Sequence, residues 1–291
     1  MKTAFKESRA ISFTVIFLVY VLTTAVGVVV YYFMPQETHF ALKLLVADIA
    51  ATVFVFVFGA ILKNASVYDP YWSVQPIVIT SAFFYQHGYS AAGLFLIVAI
   101  ALWGVRLTAN WAYTFRNLTR QDWRYTMLGE RTGKWYPLVN FFGIHLFPTL
   151  VVYACVLPAV FVITEKPAFN AFGIIFFAVS VLATVLQTVA DIEMHIYREN
   201  RSQPFIRTGL WKYSRHPNYL GEILMWWGVA LYAFVLTLRW YLLIGAACNT
   251  IMFLAVSIPM ADGRQAQKEG FSEYKSGTRS LLPLPKRAGN G

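Results

Sequence analysis

Apolar residues run through this 291-residue chain in long blocks. They do not alternate as in a strand, nor form the one-sided stripe of a soluble helix. About 18 or more consecutive apolar residues suffice for a helix to cross a bilayer. Eight blocks can be drawn: 11–33, 41–62, 71–86, 91–108, 136–163, 169–190, 219–237 and 240–258. The third is short and partly polar, which predicts a partial or tilted helix. The last two are separated only by Leu238, Arg239 and their neighbours, which predicts a tight hairpin. The fifth carries Pro148 and Pro158 and is expected to tilt or kink. The expected fold class is an all-α, polytopic integral membrane bundle of seven to nine spans.

Composition agrees. Only 13% of the residues are charged, about half the share of a soluble domain. The net charge of +10 would suit a nucleic-acid partner, but its distribution argues otherwise. With loops numbered alternately from an inside N-terminus, 21 of the 24 Lys and Arg fall on one side. Only Lys43, Lys166 and Arg239 fall on the other. Positive residues mark the cytoplasmic face. Both termini are therefore expected in the cytoplasm, in the inner membrane if the source is bacterial. The same sidedness suits attraction to anionic lipid. Cys155 and Cys248 both lie in apolar blocks, so no disulfide framework is expected. The first block is too long for a cleaved signal core and reads as a retained anchor. No G-x-G-x-x-G, P-loop or metal-ligand spacing occurs.

Residues 109–135 interleave Trp111, Tyr113, Trp123 and Tyr125 with Arg116, Arg120, Arg124 and Arg131. That mixture belongs at the headgroup level and reads as an interfacial anchor. His145, alone in a span, reads as a packed residue.

Four clusters carry candidate chemistry. Asp191, His195 and Arg198 share one helical face where the sixth block ends; taken alone they read as a helix-end charge network. The run Gly209–Glu222 supplies Lys212, Arg215 and His216 as cations and Tyr213, Asn218 and Tyr219 as neutral polar groups. Pro217 suits the first turn of a new helix, whose N-terminus favours an anion. Glu222 follows Asn218 by one turn and lies inside a span, where an ionisable group is costly and points to function. The third cluster is a tail helix on which Arg264 and Lys268, one turn apart, could close over a phosphate, or simply form a solvated face. The fourth is Asp69-Pro-Tyr-Trp-Ser-Val-Gln75. Asp69 there is an N-cap, a wall of a pocket for an apolar substrate with one polar end, or both.

The run Arg215-His-Pro-Asn-Tyr-Leu-Gly-Glu222 resembles the steroid 5-alpha-reductase superfamily, and most closely its poorly characterised bacterial branch. The resemblance covers roughly residues 45–283. It makes 1–40 an extra N-terminal helix, 41–283 the reductase-like domain with its cofactor part at about 187–280, and 284–291 a disordered tail. It implies NADPH as cofactor and reduction of an activated C=C bond of a lipid-like enone. Asp191, Arg198, Asn218 and Glu222 fall on the family's cofactor contacts, and Arg264 and Lys268 near its terminal basic residues. Asp69 stands for the glutamate that polarises the substrate carbonyl. Trp103 stands for its tyrosine partner, leaving Tyr71 or Tyr113 to supply the hydroxyl.

Asp69, Tyr71 and Glu222 are accordingly the expected catalytic residues. Asp191, His195, Arg198, Lys212, Tyr213, Arg215, His216, Asn218, Tyr219, Glu222, Arg264 and Lys268 are the expected cofactor contacts. The reading requires a cation-lined mouth leading down to an accessible Glu222. The Arg-His-Pro-x-Tyr motif is shared with S-adenosylmethionine-dependent membrane methyltransferases of the isoprenylcysteine and phospholipid type, the alternative function. Those enzymes carry a Glu pair where this chain has Asp262 and Gly263. A carrier or scaffold would give Glu222 no purpose.

The topology predicts that neither glycosylation triplet, at Asn64 or Asn117, is used. Expression in glycosylating microsomes checks this, and a glycan at either asparagine would overturn the sidedness.

Overall fold

The computed structural model describes residues 4–201 and 203–283. The tail expected to be disordered, 284–291, lies outside the described residues. The chain is an all-α bundle, with no strand among the described residues; one isolated parallel bridge pairs Ser214 with Arg279. Eleven helices position the sites. They are α1 (Arg9–Phe33), α2 (Phe40–Leu62), α3 (Tyr71–His87), α4 (Ala91–Thr114), α5 (Trp123–Thr132), α6 (Phe147–Glu165), α7 (Ala171–Glu199), α8 (Pro217–Thr237), α9 (Ile244–Met252), α10 (Ile258–Gln265) and α11 (Phe271–Gly277). Seven helical stretches are long and apolar enough to cross a membrane: α1, α2, α4, Trp123–Glu165, α7, α8 and Trp240–Gln265.

The third apolar block is not among them. α3 has 17 residues, roughly 26 Å of rise, short of the ~30 Å hydrocarbon core. The number of crossings, and with it the sidedness of the termini, turns on this helix. Asn64 is a poor reporter of that sidedness. It is buried, and its amide donates to the carbonyls of Leu118 and Arg120 at 2.9 and 3.0 Å. Asn117 is partly exposed and reports alone.

The chain divides into two compact units. Unit 1 takes the chain up to Ile79 together with Leu107–Leu157; unit 2 takes Thr80–Arg106 and the chain from Pro158 onward. In unit 1, Ile16 and Val19 of α1 join Ala51 and Val55 of α2, with Val67, Tyr68 and Tyr71, in one buried cluster. The interfacial segment is ordered there. Asp122 caps α5, and the Asp122 N–H bonds Ser66 Oγ at 2.8 Å.

Two prolines are accommodated by the same device. A proline inside a helix lacks an N–H and clashes with the carbonyl four residues back. Before Phe147-Pro148 the backbone widens to a π-helical turn over Asn140–Leu146, and the Phe147 N–H reaches Phe142 O, five residues back. Before Ile258-Pro259 it widens over Phe253–Ser257, and the Ile258 N–H reaches Phe253 O. This π-helical turn stands at the first proline of the fifth block, where a tilt or kink is expected.

In unit 2, α7 and α8 pack backbone to backbone through two glycines seven residues apart. A Cβ at Gly221 would lie 2.7 Å from Ala183 O, and one at Gly228 would lie 2.8 Å from Phe176 O and 2.2 Å from Ser180 Oγ. Small residues permit such close approach in lipid, where no hydrophobic force drives helices together. Ser180 Oγ bonds Met225 O across the gap at 3.2 Å.

Gly228→Ala is predicted to destabilise the protein by about 1–3 kcal/mol through overpacking. Gly263→Ala, whose Cβ would meet nothing within 4 Å, should leave stability unchanged or slightly raised. Melting curves of both variants in one detergent check the pair.

Candidate functional site

Unit 2 assembles a polar centre among α4, α7 and α8 around Glu222. Its carboxylate is buried in α8, 5% exposed. Oε2 accepts from Trp103 Nε1 at 2.8 Å and from Gln187 Nε2 at 2.9 Å. Oε1 accepts from Trp226 Nε1 at 3.0 Å. Arg106 of α4 stands 3.8 Å from Oε2, donates to Asp191 Oδ2 at 2.7 Å, and donates to Gln187 Oε1. Four N–H-bearing side chains thus surround one carboxylate. This corrects the expected catalytic role: Glu222 is held by indoles, an amide and a guanidinium, and is not the accessible carboxylate below a cation-lined mouth that the sequence reading required. Trp103 is likewise a partner of Glu222 rather than a stand-in for a substrate-binding phenol.

Asp191, His195 and Arg198 do lie on one helix, α7, which runs unbroken to Glu199. Arg106 ties Asp191 to the Glu222 centre. Two turns further, Arg198 lies within the fields of Arg201 and Arg264. Lys268 joins them: partial burial first, then the charges of Arg201 and Arg264, hold its ammonium below its usual range. Arg264 and Lys268 do not share a helix as expected, because α10 ends at Gln265; the turn that follows brings Lys268 back. Among the described residues no ion pair involves Arg198, Arg201 or Lys268. Three chain segments so place four cations within one another's electrostatic influence, with Asp191 acting on Arg198 in the opposite sense.

The loop between α7 and α8 folds over the end of α7. Gly209 has φ +57°, and a Cβ there would lie 2.1 Å from Glu193 Oε1. Only glycine suits both the left-handed backbone and the close approach. Glu193 accepts from the Leu210 N–H at 2.9 Å, and Trp211 Nε1 donates to Ala190 O at 3.2 Å. Lys212 and Tyr213 are exposed, the ammonium 5.8 Å from the ring centroid.

Arg215 and His216 are not open cations at a mouth. Both are buried. Arg215 Nη2 pairs with Asp262 Oδ2 at 2.9 Å, and His216 Nε2 lies 2.9 Å from Asp262 Oδ1. Arg215 also donates to Thr278 O, and its own N–H bonds Arg279 O at 3.0 Å. These residues clamp the C-terminal segment. A cavity of about 440 Å³ opens beside the clamp, lined by Arg215, Arg279, Ser280, Leu281 and Leu282. Tyr219 stacks on His216 at 5.1 Å. Asn218, in the first turn of α8, keeps a buried Oδ1 with no hydrogen-bond partner among the described residues.

In unit 1, Asp69 has right-handed helical dihedrals and closes the Ala65–Tyr68 turn instead of capping α3. Its carboxylate accepts from Tyr125 OH. Burial above all pushes Asp69 up to about 6, against the lowering effects of Arg124 and the Tyr125 bond. Tyr71 donates to Asp48 Oδ1 at 2.8 Å. The acids and phenols of unit 1 thus pair as Asp69–Tyr125 and Asp48–Tyr71, not as Asp69–Tyr71.

Sequence reasoning passed over Arg106, Gln187, Trp226 and Asp48. Each had a signal, a polar or indole group inside an apolar block, where such groups are costly. Arg106 was masked by its nearness to the end of its block, which made it read as a loop cation.

The match to known proteins is consistent with this architecture. Residues 55–278 match a family described as "Protein of unknown function (DUF1295)", within the steroid 5-alpha-reductase-like superfamily. The chain is also similar to an uncharacterised protein of Schizosaccharomyces pombe, with 31% identity over 56% of each chain. It thus spans little more than half the length of that relative. No solved structure matches. With its helical architecture and most of its length matched, this chain belongs to the DUF1295 family of the steroid 5-alpha-reductase-like superfamily.

Proposed function

We propose that the protein is a membrane oxidoreductase that reduces an activated C=C bond of a lipid-like, steroid- or isoprenoid-like enone with NADPH. The observation that carries this reading is the convergence of Arg198, Arg201, Arg264 and Lys268. Like charges repel, and such a cluster is stabilised by a polyanion such as the phosphates of a dinucleotide. Cations in this number suit the additional phosphate of NADPH over NADH. The orphaned Oδ1 of Asn218 is a buried acceptor awaiting a donor, which a carboxamide N–H provides. Orphan acceptor and cation cluster together fit this cofactor.

When bound, NADPH supplies the hydride. Arg198, Arg201, Arg264 and Lys268 hold its phosphates, and exposed Lys212 adds to the field that attracts it. Asn218 fixes the head group. Glu222 keeps Trp103, Trp226, Gln187 and Arg106 in place. S-adenosylmethionine carries no phosphate and leaves the cluster unused, which sets the methyltransferase reading second.

The test is titration of the purified chain in detergent with NADPH, NADH and S-adenosylmethionine. NADPH is expected to bind. Arg198→Ala, Lys268→Ala and Asn218→Ala should each weaken binding about tenfold, or ~1.4 kcal/mol, with unchanged melting temperature. Adenosylmethionine binding without NADPH binding, or full NADPH affinity in all three variants, would overturn the proposal.

Affinity should also depend on pH. Lys268 loses its proton below the usual lysine range, so its attraction for phosphate is complete on the acid side and fades as pH rises through that lowered value. Lys268→Arg keeps its charge throughout and should flatten the alkaline limb of the affinity profile.

A further inference from the structure

Unit 1 holds a string of buried hydroxyls that ends on a carboxyl in the middle of an apolar helix. Asp48 lies in α2 and is 3% exposed. Its Oδ1 takes the Tyr71 hydroxyl at 2.8 Å. The Tyr71 oxygen is within hydrogen-bonding reach of Thr52, one turn along α2. Thr52 Oγ1 lies 3.0 Å from Thr149 Oγ1, and Thr149 Oγ1 lies 2.8 Å from Tyr68 OH. All five side chains are buried.

The plain reading is that these hydroxyls merely satisfy one another. Two observations go beyond it. Threonines in apolar helices commonly bond the carbonyl four residues back, as Thr23, Thr184, Thr188, Thr237 and Thr250 do in this protein. Thr52 and Thr149 instead face each other and the two phenols. In both the Thr52–Thr149 and Thr149–Tyr68 contacts either oxygen can donate, so the string can run in either direction. The second observation is that Asp48 Oδ2 has no hydrogen-bond partner among the described residues. The groups facing this carboxyl are Tyr71 at the start of α3, Gln75 one turn on, Tyr68 in the turn before α3, and Tyr153 of α6; Tyr20 of α1 meets the Tyr71 ring at 6.0 Å. None of these is a cation. A buried carboxyl with an orphaned oxygen and no counter-ion among the described residues is neutralised by a proton; the Gln75 amide also faces it, and the hydroxyls strung from it are the groups that can carry a proton.

We propose that Asp48 is a proton-binding site, and that Tyr68, Thr149, Thr52 and Tyr71 form the relay that loads and unloads it. In loading, the Tyr71 proton bonds to Asp48 Oδ1 while Tyr71 takes one from Thr52, Thr52 from Thr149, Thr149 from Tyr68, and Tyr68 from a hydronium ion admitted by local opening, since its side chain is buried at rest. Each hydroxyl ends with the O–H bond it began with. The carboxylate becomes a carboxylic acid, water is left at the Tyr68 end, and no electrons change hands. Unloading reverses every bond. This site is independent of the cofactor chemistry of unit 2 and survives the failure of that reading.

The test uses the full chain in lipid nanodiscs and infrared difference spectroscopy, following the carbonyl-stretch band of a protonated carboxyl. The parent protein is expected to show a band that appears as pH falls and shifts in heavy water. Asp48→Asn should remove it, and Asp48→Glu should move it without removing it. Thr149→Val, close in shape but without the hydroxyl, should keep the band and slow its hydrogen–deuterium exchange by about tenfold, a barrier change of ~1.4 kcal/mol. Thr52→Val is the second break in the string and serves if Thr149→Val does not fold, as judged by melting temperature. A band unaltered in Asp48→Asn overturns the site. Exchange as fast as the parent's in a folded Thr variant overturns the relay.

Discussion

An ionised carboxyl cannot sit inside an apolar helix unless other groups replace the water it gave up. Unit 2 is organised around that constraint. Glu222 draws an indole from α4, an amide from α7, an indole from its own helix, and a nearby guanidinium from α4. Hydrogen bonds to a charged group are each worth about 1.5–3 kcal/mol, so three helices are fastened at one buried point. Arg106 passes the connection on to Asp191. The outer end of α7, with its cations, is thereby tied to the interior by charge and not by packing alone.

The two units answer the same constraint in opposite ways. In unit 2 the buried acid meets a cation and three N–H donors. In unit 1, Asp48 meets a phenol and a string of hydroxyls, with no cation facing it. The first solution surrounds both carboxylate oxygens with N–H donors, which suits holding a site in shape, although Arg106 Nε keeps no partner among the described residues. The second leaves one oxygen without a partner and gives a carboxyl whose state can change. At the C-terminal clamp a third solution appears: Asp262 is buried with Arg215 and His216 against it. Breaking such a pair leaves a stranded charge, and two backbone bonds, Arg215 N–H to Arg279 O and His216 N–H to Ser280 O, close the same clamp.

Much of the fold was legible because lipid imposes simple rules. Apolar block lengths gave the all-α bundle and seven of its spans, and Pro217 marked the start of α8. What the sequence concealed was pairing. Asp191 and Glu222 stand out as acids in or beside spans, yet nothing local says that Arg106 serves both. Arg215 and His216 look like free cations in the run 209–222 until the tail returns Asp262 to them. Asp69 looks like an N-cap because Pro70 follows it; Tyr125, 56 residues away, claims its carboxylate instead. Long-range hydrogen bonds decide these roles, and periodicity carries no information about them. Gly221 and Gly228 are the converse case, since their spacing of seven is visible but its meaning appears only with Ala183 and Ser180 opposite.

The π-helical turns that admit Pro148 and Pro259 also reset the angular phase of everything downstream. An α-helix advances about 100° per residue, and a turn holding one extra residue rotates the following segment by that amount relative to an unbroken helix. Asp262, which pairs with Arg215, lies five residues past the turn at Phe253–Ser257 and so inherits that offset. The length of this turn therefore enters the azimuth of the acid that anchors the tail.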